Sequence, residues 1–353
     1  YEYSVLAGPA FTIVYTLGGV AFALISFTKE QLGEDGLIKA ASMTKFNILS
    51  VTTFIFSVSF ACTAFALYFW QQVLIRIAMG LAQSVITPFS TSIISDHFPP
   101  EVRGAAFGIF NIGTYISFSL SLSLGIYIYV EYGWQAGYIL FGLIGVACSL
   151  IMPVMSCMKG NESSDKRHGH NSKSWYSKIH TMLALAYEIC FLKWYNAPGI
   201  YMLCLATGIR LGAGYVWMSY TGAFFSDLFE TDSDTDLEYM AWVPIVGSGF
   251  GNVLGGFIAD YFVGKQHQQQ RGWSNLLPIP LVTAALLLEF PYCFLIMILS
   301  GMLGEMYMGQ VLATLTDLSV APAHYITPSV ALFMFVATII GGNTPLLIPL
   351  VMD

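Results

Sequence analysis

Ten apolar stretches, most of them 20 or more residues long, constrain this chain more than any other feature. They are Tyr3–Thr28, Ile48–Trp70, Val73–Ser95, Ala105–Val130, Trp134–Met158, Ile200–Ser226, Tyr239–Phe262, Ser274–Glu289, Pro291–Leu318 and Ser329–Val351. About 20 residues of helix cross a hydrocarbon layer, and a helix satisfies its own backbone where no water can. The eighth stretch is short and carries Pro278 and Pro280, so its ends are the least defined. The stretches lack the alternation of barrel strands. With 56% hydrophobic and 10% charged residues, the side chains cannot clothe a water-facing surface. The pattern predicts an all-α, polytopic membrane protein.

Composition also excludes several functions. A net charge of −7 without a basic face argues against nucleic-acid binding. The 6 cysteines have no metal or redox spacing and read as small buried hydrophobes. Neither a Walker loop nor a Gly-x-Ser-x-Gly elbow occurs, so ATP-driven pumping and hydrolysis have no residues to rest on. No catalytic residue, metal or cofactor is expected. His168 and His170 read as solvated loop residues.

Basic residues set the orientation. Twelve of the 14 Lys and Arg fall in one set of loops, and the opposite loops hold none. Those opposite loops instead carry Glu230, Asp232, Asp234 and Asp236. The basic side is therefore cytoplasmic. Ten spans leave both ends of the chain on the other side, an arrangement that expects a twelve-span parent lacking its first and last spans.

The polar stretch from Lys159 to Lys193 divides the spans five and five. It predicts an N-terminal bundle over 1–158, a linker over 159–199 and a C-terminal bundle over 200–353. Within the linker, Trp175, Ile179, Met182, Leu183 and Tyr187 share a helical face that would lie on the membrane surface, or else extend the next span. A weak repeat supports the division. Gly80 precedes Asp96 by the same 16 residues that separate Gly301 from Asp317, and prolines and a new apolar span follow each.

The run Arg76-Ile-Ala-Met-Gly80-Leu-Ala-Gln83-Ser84, with Pro88, Asp96 and Pro99-Pro100-Glu101-Val102-Arg103 after it, resembles the fourth span and following loop of the major facilitator superfamily. More narrowly it is similar to the Spinster-like branch, as are Gly304-Glu305 and Gly341-Gly342-Asn343-Thr344-Pro345. The resemblance implies a two-bundle helical fold and secondary transport. The branch carries an acid where Gln83 stands here. The family's G-x-x-x-D motif survives as Gly256-Phe-Ile-Ala-Asp260, while its first-half copy has no acid.

Ionisable groups inside spans cost about 2.5–3.5 kcal/mol on insertion scales and are functional candidates by default. Arg210 and Glu305 lie near the middle of their spans. They are expected to pair, either as a substrate or proton site or as a structural lock. Arg76 lies three residues into its span, where it either snorkels or, as the resemblance implies, points inward. Gln83 and Ser84 offer neutral hydrogen bonds to a ligand or to a neighbouring helix. Asp96 and Asp260 end their spans at a disfavoured pole of the helix dipole. Each needs a partner such as Arg103 or the start of another helix. The resemblance implies that Asp96, Arg103, Gly256 and Asp260 latch the cytoplasmic mouth.

The expected function is alternating-access transport of a small amphipathic solute, such as a lysophospholipid or sphingolipid-like molecule, coupled to protons or driven by its own gradient. A sugar or other organic solute is the alternative, as is a transporter-like sensor or scaffold. An enzyme built on Asp96 and His97 is disfavoured by their place at a helix end. The expected partners are membrane lipids and a small-molecule substrate. The expected state is a monomer in a lysosomal, endosomal or plasma membrane.

Overall fold

Gly133 has φ 82°, a left-handed conformation, and it alone separates two helices that together run from Arg103 to Met158. Its N–H donates to the Tyr129 carbonyl (3.0 Å), closing the first helix. Connections this short keep backbone polar groups paired at the membrane boundary. The computed structural model describes residues 9–32, 45–99, 101–158, 199–229, 242–263, 284, 288, 292–318 and 326–344.

Among the described residues there are eleven α-helices and no strand. They are α1 (Pro9–Leu32), α2 (Lys45–Cys62), α3 (Phe69–Gln83), α4 (Ile86–His97), α5 (Arg103–Tyr132) and α6 (Trp134–Met158), then α7 (Gly199–Phe229), α8 (Phe250–Val263), α9 (Tyr292–Gly304), α10 (Tyr307–Leu318) and α11 (Ile326–Gly342). A short 3-10 turn, Thr63–Phe65, follows α2, and a π-helical segment, Val243–Gly249, leads into α8. Among the described residues, six segments are long and apolar enough to cross a membrane. The surface interfacial helix expected in the linker, and most of the eighth apolar stretch, lie outside the described residues.

Two expected spans differ from the helices observed. The third and ninth stretches are each broken, at Ser84–Val85 and at Glu305–Met306. The breaks share one register. Ser84 follows Gly80 by four residues and donates its N–H to the Gly80 carbonyl (3.0 Å); Glu305 follows Gly301 by four and does the same to Gly301 (3.0 Å). Downstream, α4 and α10 also begin and end at equivalent places. The repeat read from Gly80 and Gly301 is thus visible in helix geometry. The boundary between α2 and α3 also moves. Tyr68 is extended, and Gln71 Oε1 accepts the N–H groups of Leu67 (2.9 Å) and Tyr68 (3.1 Å), so α3 starts at Phe69 and not at Val73.

Contacts group the chain into two compact units. The first holds residues 1–93, 134–215 and 318–353, and the second holds 94–133 and 216–317. Each draws helices from both sides of the linker, so the grouping is by contact and not by chain order.

In the first unit α2 packs on α6 and α1 on α3 and α11. Small residues allow it: Ser50 Oγ donates to the Ser149 carbonyl (2.7 Å), and a Cβ on Gly142 would stand 2.7 Å from that of Ala61. In the second unit α8 lies between two partners. On one side Gly247, Gly251 and Gly255, spaced by four, meet the carbonyls of Ile298, Met302 and Met306, also spaced by four. On the other, Asn252 and Gly256 meet Gly108 and Gly104 of α5. Backbones touch without intervening side chains, which gives α8 a closely registered seat.

Candidate functional site

The second unit contains a partly buried polar chain that crosses three elements. Tyr115, on α5, donates its hydroxyl proton to Glu305 Oε2 (2.8 Å). Asn252, on α8, donates from Nδ2 to the Tyr115 oxygen (3.2 Å). Glu305 is half-buried at the break between α9 and α10. A hydrogen bond to a charged group is worth about 1.5–3 kcal/mol, enough to offset much of the cost of holding an acid in a span. Asn252 itself is fully buried.

The same unit brings together the residues expected at the cytoplasmic latch. Asp260 accepts the N–H of Gly104 on Oδ1 (2.9 Å) and of Ala105 on Oδ2 (2.8 Å). These are among the first N–H groups of α5, which its own turns leave unpaired. A carboxylate at a helix N-terminus faces the positive end of the dipole, so the disfavour of ending its own helix is answered there. Gly256 makes this possible, because a Cβ in its place would run into the Gly104 carbonyl and stand 2.9 Å from Ala105 Cα. Arg103 turns to the other side and donates from Nη2 to the carbonyls of Ser95 (3.2 Å) and Phe98 (3.3 Å), covering the end of α4. Asp96 is exposed in the last turn of α4.

The first unit holds the other predicted residues. Arg210 is half-buried in α7, about 16 Å from the helix start at 1.5 Å per residue. Its Nη1 lies 3.3 Å from where a Cβ on Gly214 would be, so the guanidinium runs along its own helix. Arg76 is half-buried in α3. Because α3 begins at Phe69, Arg76 stands two turns into the helix and not three residues in, deeper than the sequence suggested. Gln83 is half-buried at the end of α3. Ser84 is buried, donates Oγ to the Leu81 carbonyl (2.7 Å) and sits against Gly18 and Gly19 of α1. A pocket with room for roughly one water lies beside it, lined by Tyr15, Thr16, Gly19, Pro88, Met334 and Phe335 among others. Arg210 belongs to the first unit and Glu305 to the second.

Tyr115 and Asn252 were not singled out by sequence. One is among 20 tyrosines, and only a fold that joins residues 190 positions apart marks it.

Residues 40–344 match the Major Facilitator Superfamily, which is most of the chain. The chain belongs to that superfamily. It is a multi-pass integral membrane protein, and the relatives it matches are transporters and not enzymes. It is 22% identical over 223 residues to a probable L-galactonate transporter of Escherichia coli K12, covering 61% of this chain and 47% of that one. It is 23% identical over 192 residues to a hexuronate transporter of the same strain, covering 53% and 43%. A probable anion transporter from the chloroplast of Arabidopsis thaliana is 22% identical over 192 residues, covering 53% and 36%. The chain thus spans less than half the length of these relatives. Among solved structures, an inward-facing, unoccupied bacterial homologue of the human lysosomal transporter Spinster has the same fold. The TM-score is 0.57 and the identity 20%, with 98% of this chain and 81% of that one covered.

Proposed function

We propose that this protein is a secondary transporter that carries a small organic anion across a membrane by alternating access. The observation that carries this reading is Arg210, a half-buried guanidinium deep in a 31-residue apolar helix. A cation at that depth is costly and so a functional candidate, and its planar fork suits a carboxylate or phosphate. The names of three relatives, for L-galactonate, hexuronate and anions, point to the same chemistry. Arg76, Gln83 and Ser84 are the accompanying ligand contacts in this reading. Its finer form is an amphipathic anion, a lysophospholipid or sphingolipid-like phosphate.

Glu305 is the coupling group, taking up a proton in one access state and releasing it in the other. Asp96, Arg103, Gly256 and Asp260 form the cytoplasmic latch. The residues before and after the linker are two repeated halves, and the shared register of the two helix breaks supports that division. The working unit is a monomer in a lysosomal, endosomal or plasma membrane.

The test is uptake by the full-length protein in liposomes across a pH gradient. The panel is lysophospholipid, sphingosine phosphate, L-galactonate, a hexuronate and a neutral hexose. Anions are accumulated and the hexose is not, and Arg210→Ala lowers anion uptake at least about tenfold. Equal uptake of the hexose would overturn the anion reading, and the lipid arms against the sugar-acid arms decide its finer form.

A further inference from the structure

The hydrogen-bond chain at Glu305 has a direction, and it leaves one polar atom over. Asn252 donates to Tyr115, which donates to Glu305. A phenol has one proton to give, and a carboxylate can only accept, so this is the order an ionised Glu305 selects. Asn252 Oδ1 is buried and has no hydrogen-bond partner. Asn252 Oδ1, the Gly104 carbonyl and the Gly108 nitrogen all lie within 3.4 Å of the point a Cβ on Gly309 would occupy. Turned over, the same amide would present its N–H groups on that side and its oxygen to Tyr115.

We propose that Tyr115 and Asn252 are positioning residues that form a two-way hydrogen-bond switch between Glu305 and the Gly104 end of α5. The proposal rests on Glu305 being the group that takes up the coupled proton. When a proton from hydronium joins a Glu305 oxygen, the new acid O–H donates to the Tyr115 oxygen. The Tyr115 hydroxyl swings about its C–O bond and donates to Asn252 Oδ1, the amide having turned about its last torsion. Its Nδ2 then points to the Gly104 side. One O–H of hydronium breaks as the O–H on Glu305 forms, leaving a water molecule, and no other covalent bond changes. Gly104 is the residue whose N–H binds Asp260, so the switch ends at the cytoplasmic latch. The titratable groups beside Tyr115 are Glu305 and Tyr307. From α8 the facing group is the neutral Asn252, with Asp260 two turns further along.

Infrared difference spectra of the full-length protein in lipid nanodiscs, acid minus neutral pH, test this. The wild type shows a protonated-carboxyl band that Glu305→Gln abolishes, together with an Asn side-chain amide band that Asn252→Ala abolishes. In Tyr115→Phe, which removes one oxygen and keeps the ring, the carboxyl band stays and the amide band is lost. A wild-type spectrum without an Asn252-dependent band, or an amide band that survives Tyr115→Phe, overturns the switch and leaves the role of Glu305 standing. A carboxyl band that is missing, or that survives Glu305→Gln, overturns the reading beneath it. In proteoliposomes, Tyr115→Phe lowers the ratio of uptake at the two pH values at least about tenfold; an equal loss at both marks a merely structural role and overturns the switch.

Discussion

Asp260 shows how one side chain joins chemistry to geometry. It accepts two N–H groups at the start of α5, and only an ionised carboxylate can serve both with charge. Asp260→Asn keeps the shape, loses the charge and turns one acceptor into a donor facing a donor. The change is expected to cost about 1–2 kcal/mol, the range of lost helix caps and dipole partners. A fall of a few degrees in Tm for the purified protein would show it, and an unchanged Tm would remove the carboxylate from the latch. Asp260→Glu restores the charge but not the reach, and is expected to fall between the two. The family resemblance marks this residue through its G-x-x-x-D motif, and the helix dipole separately demands a partner for an acid at a helix end. Neither announces Tyr115 or Asn252. Both are ordinary membrane-helix residues until the fold places one hydroxyl 2.8 Å from Glu305.

At the scale of elements, hydrophobic runs were legible because the bilayer sets their length, and most of the described helices fall close to the expected spans. The break at Ser84–Val85 has a local cause, since Pro88 has no N–H to give the Ser84 carbonyl and its ring crowds that carbonyl. The break at Glu305–Met306 has no proline after it and was not legible. Tertiary contacts meet both: Ser84 packs against Gly18 and Gly19, and Tyr115 reaches Glu305 from another helix. The glycines of α8 make a sharper prediction. A Cβ on Gly251 would overlap the Met302 carbonyl, so Gly251→Ala must push α8 and α9 apart. Overpacking of this kind costs about 1–3 kcal/mol or more. Gly113 of α5 has nothing within 4 Å of its Cβ position, and Gly113→Ala should gain up to about 1 kcal/mol from helix propensity alone. Thermal melts of the two variants in one detergent compare them directly. If both lower stability equally, the close-packed seat of α8 is not what holds it.

The whole molecule carries its orientation in its charges, and the described structure offers two points at which to read it. Leu67, in the extended link between α2 and α3, is 85% exposed, and His97 is exposed at the far end of α4. The helices α3 and α4 together form one candidate span, so these residues lie at its opposite ends. The sequence expectation that the basic residues gather on the His97 side predicts that this side faces the cytoplasm, since basic flanks resist translocation. Leu67→Cys and His97→Cys, each in a background without the native cysteines, place a thiol at either end. In sealed vesicles whose outer face is the non-cytoplasmic one, a membrane-impermeant maleimide should label the first and spare the second. After the vesicles are opened it should label both. The reversed pattern would turn the molecule over, and with it the assignment of Asp96, Arg103, Gly256 and Asp260 to a cytoplasmic latch, while the hydrogen bonds inside each unit would stand as they are.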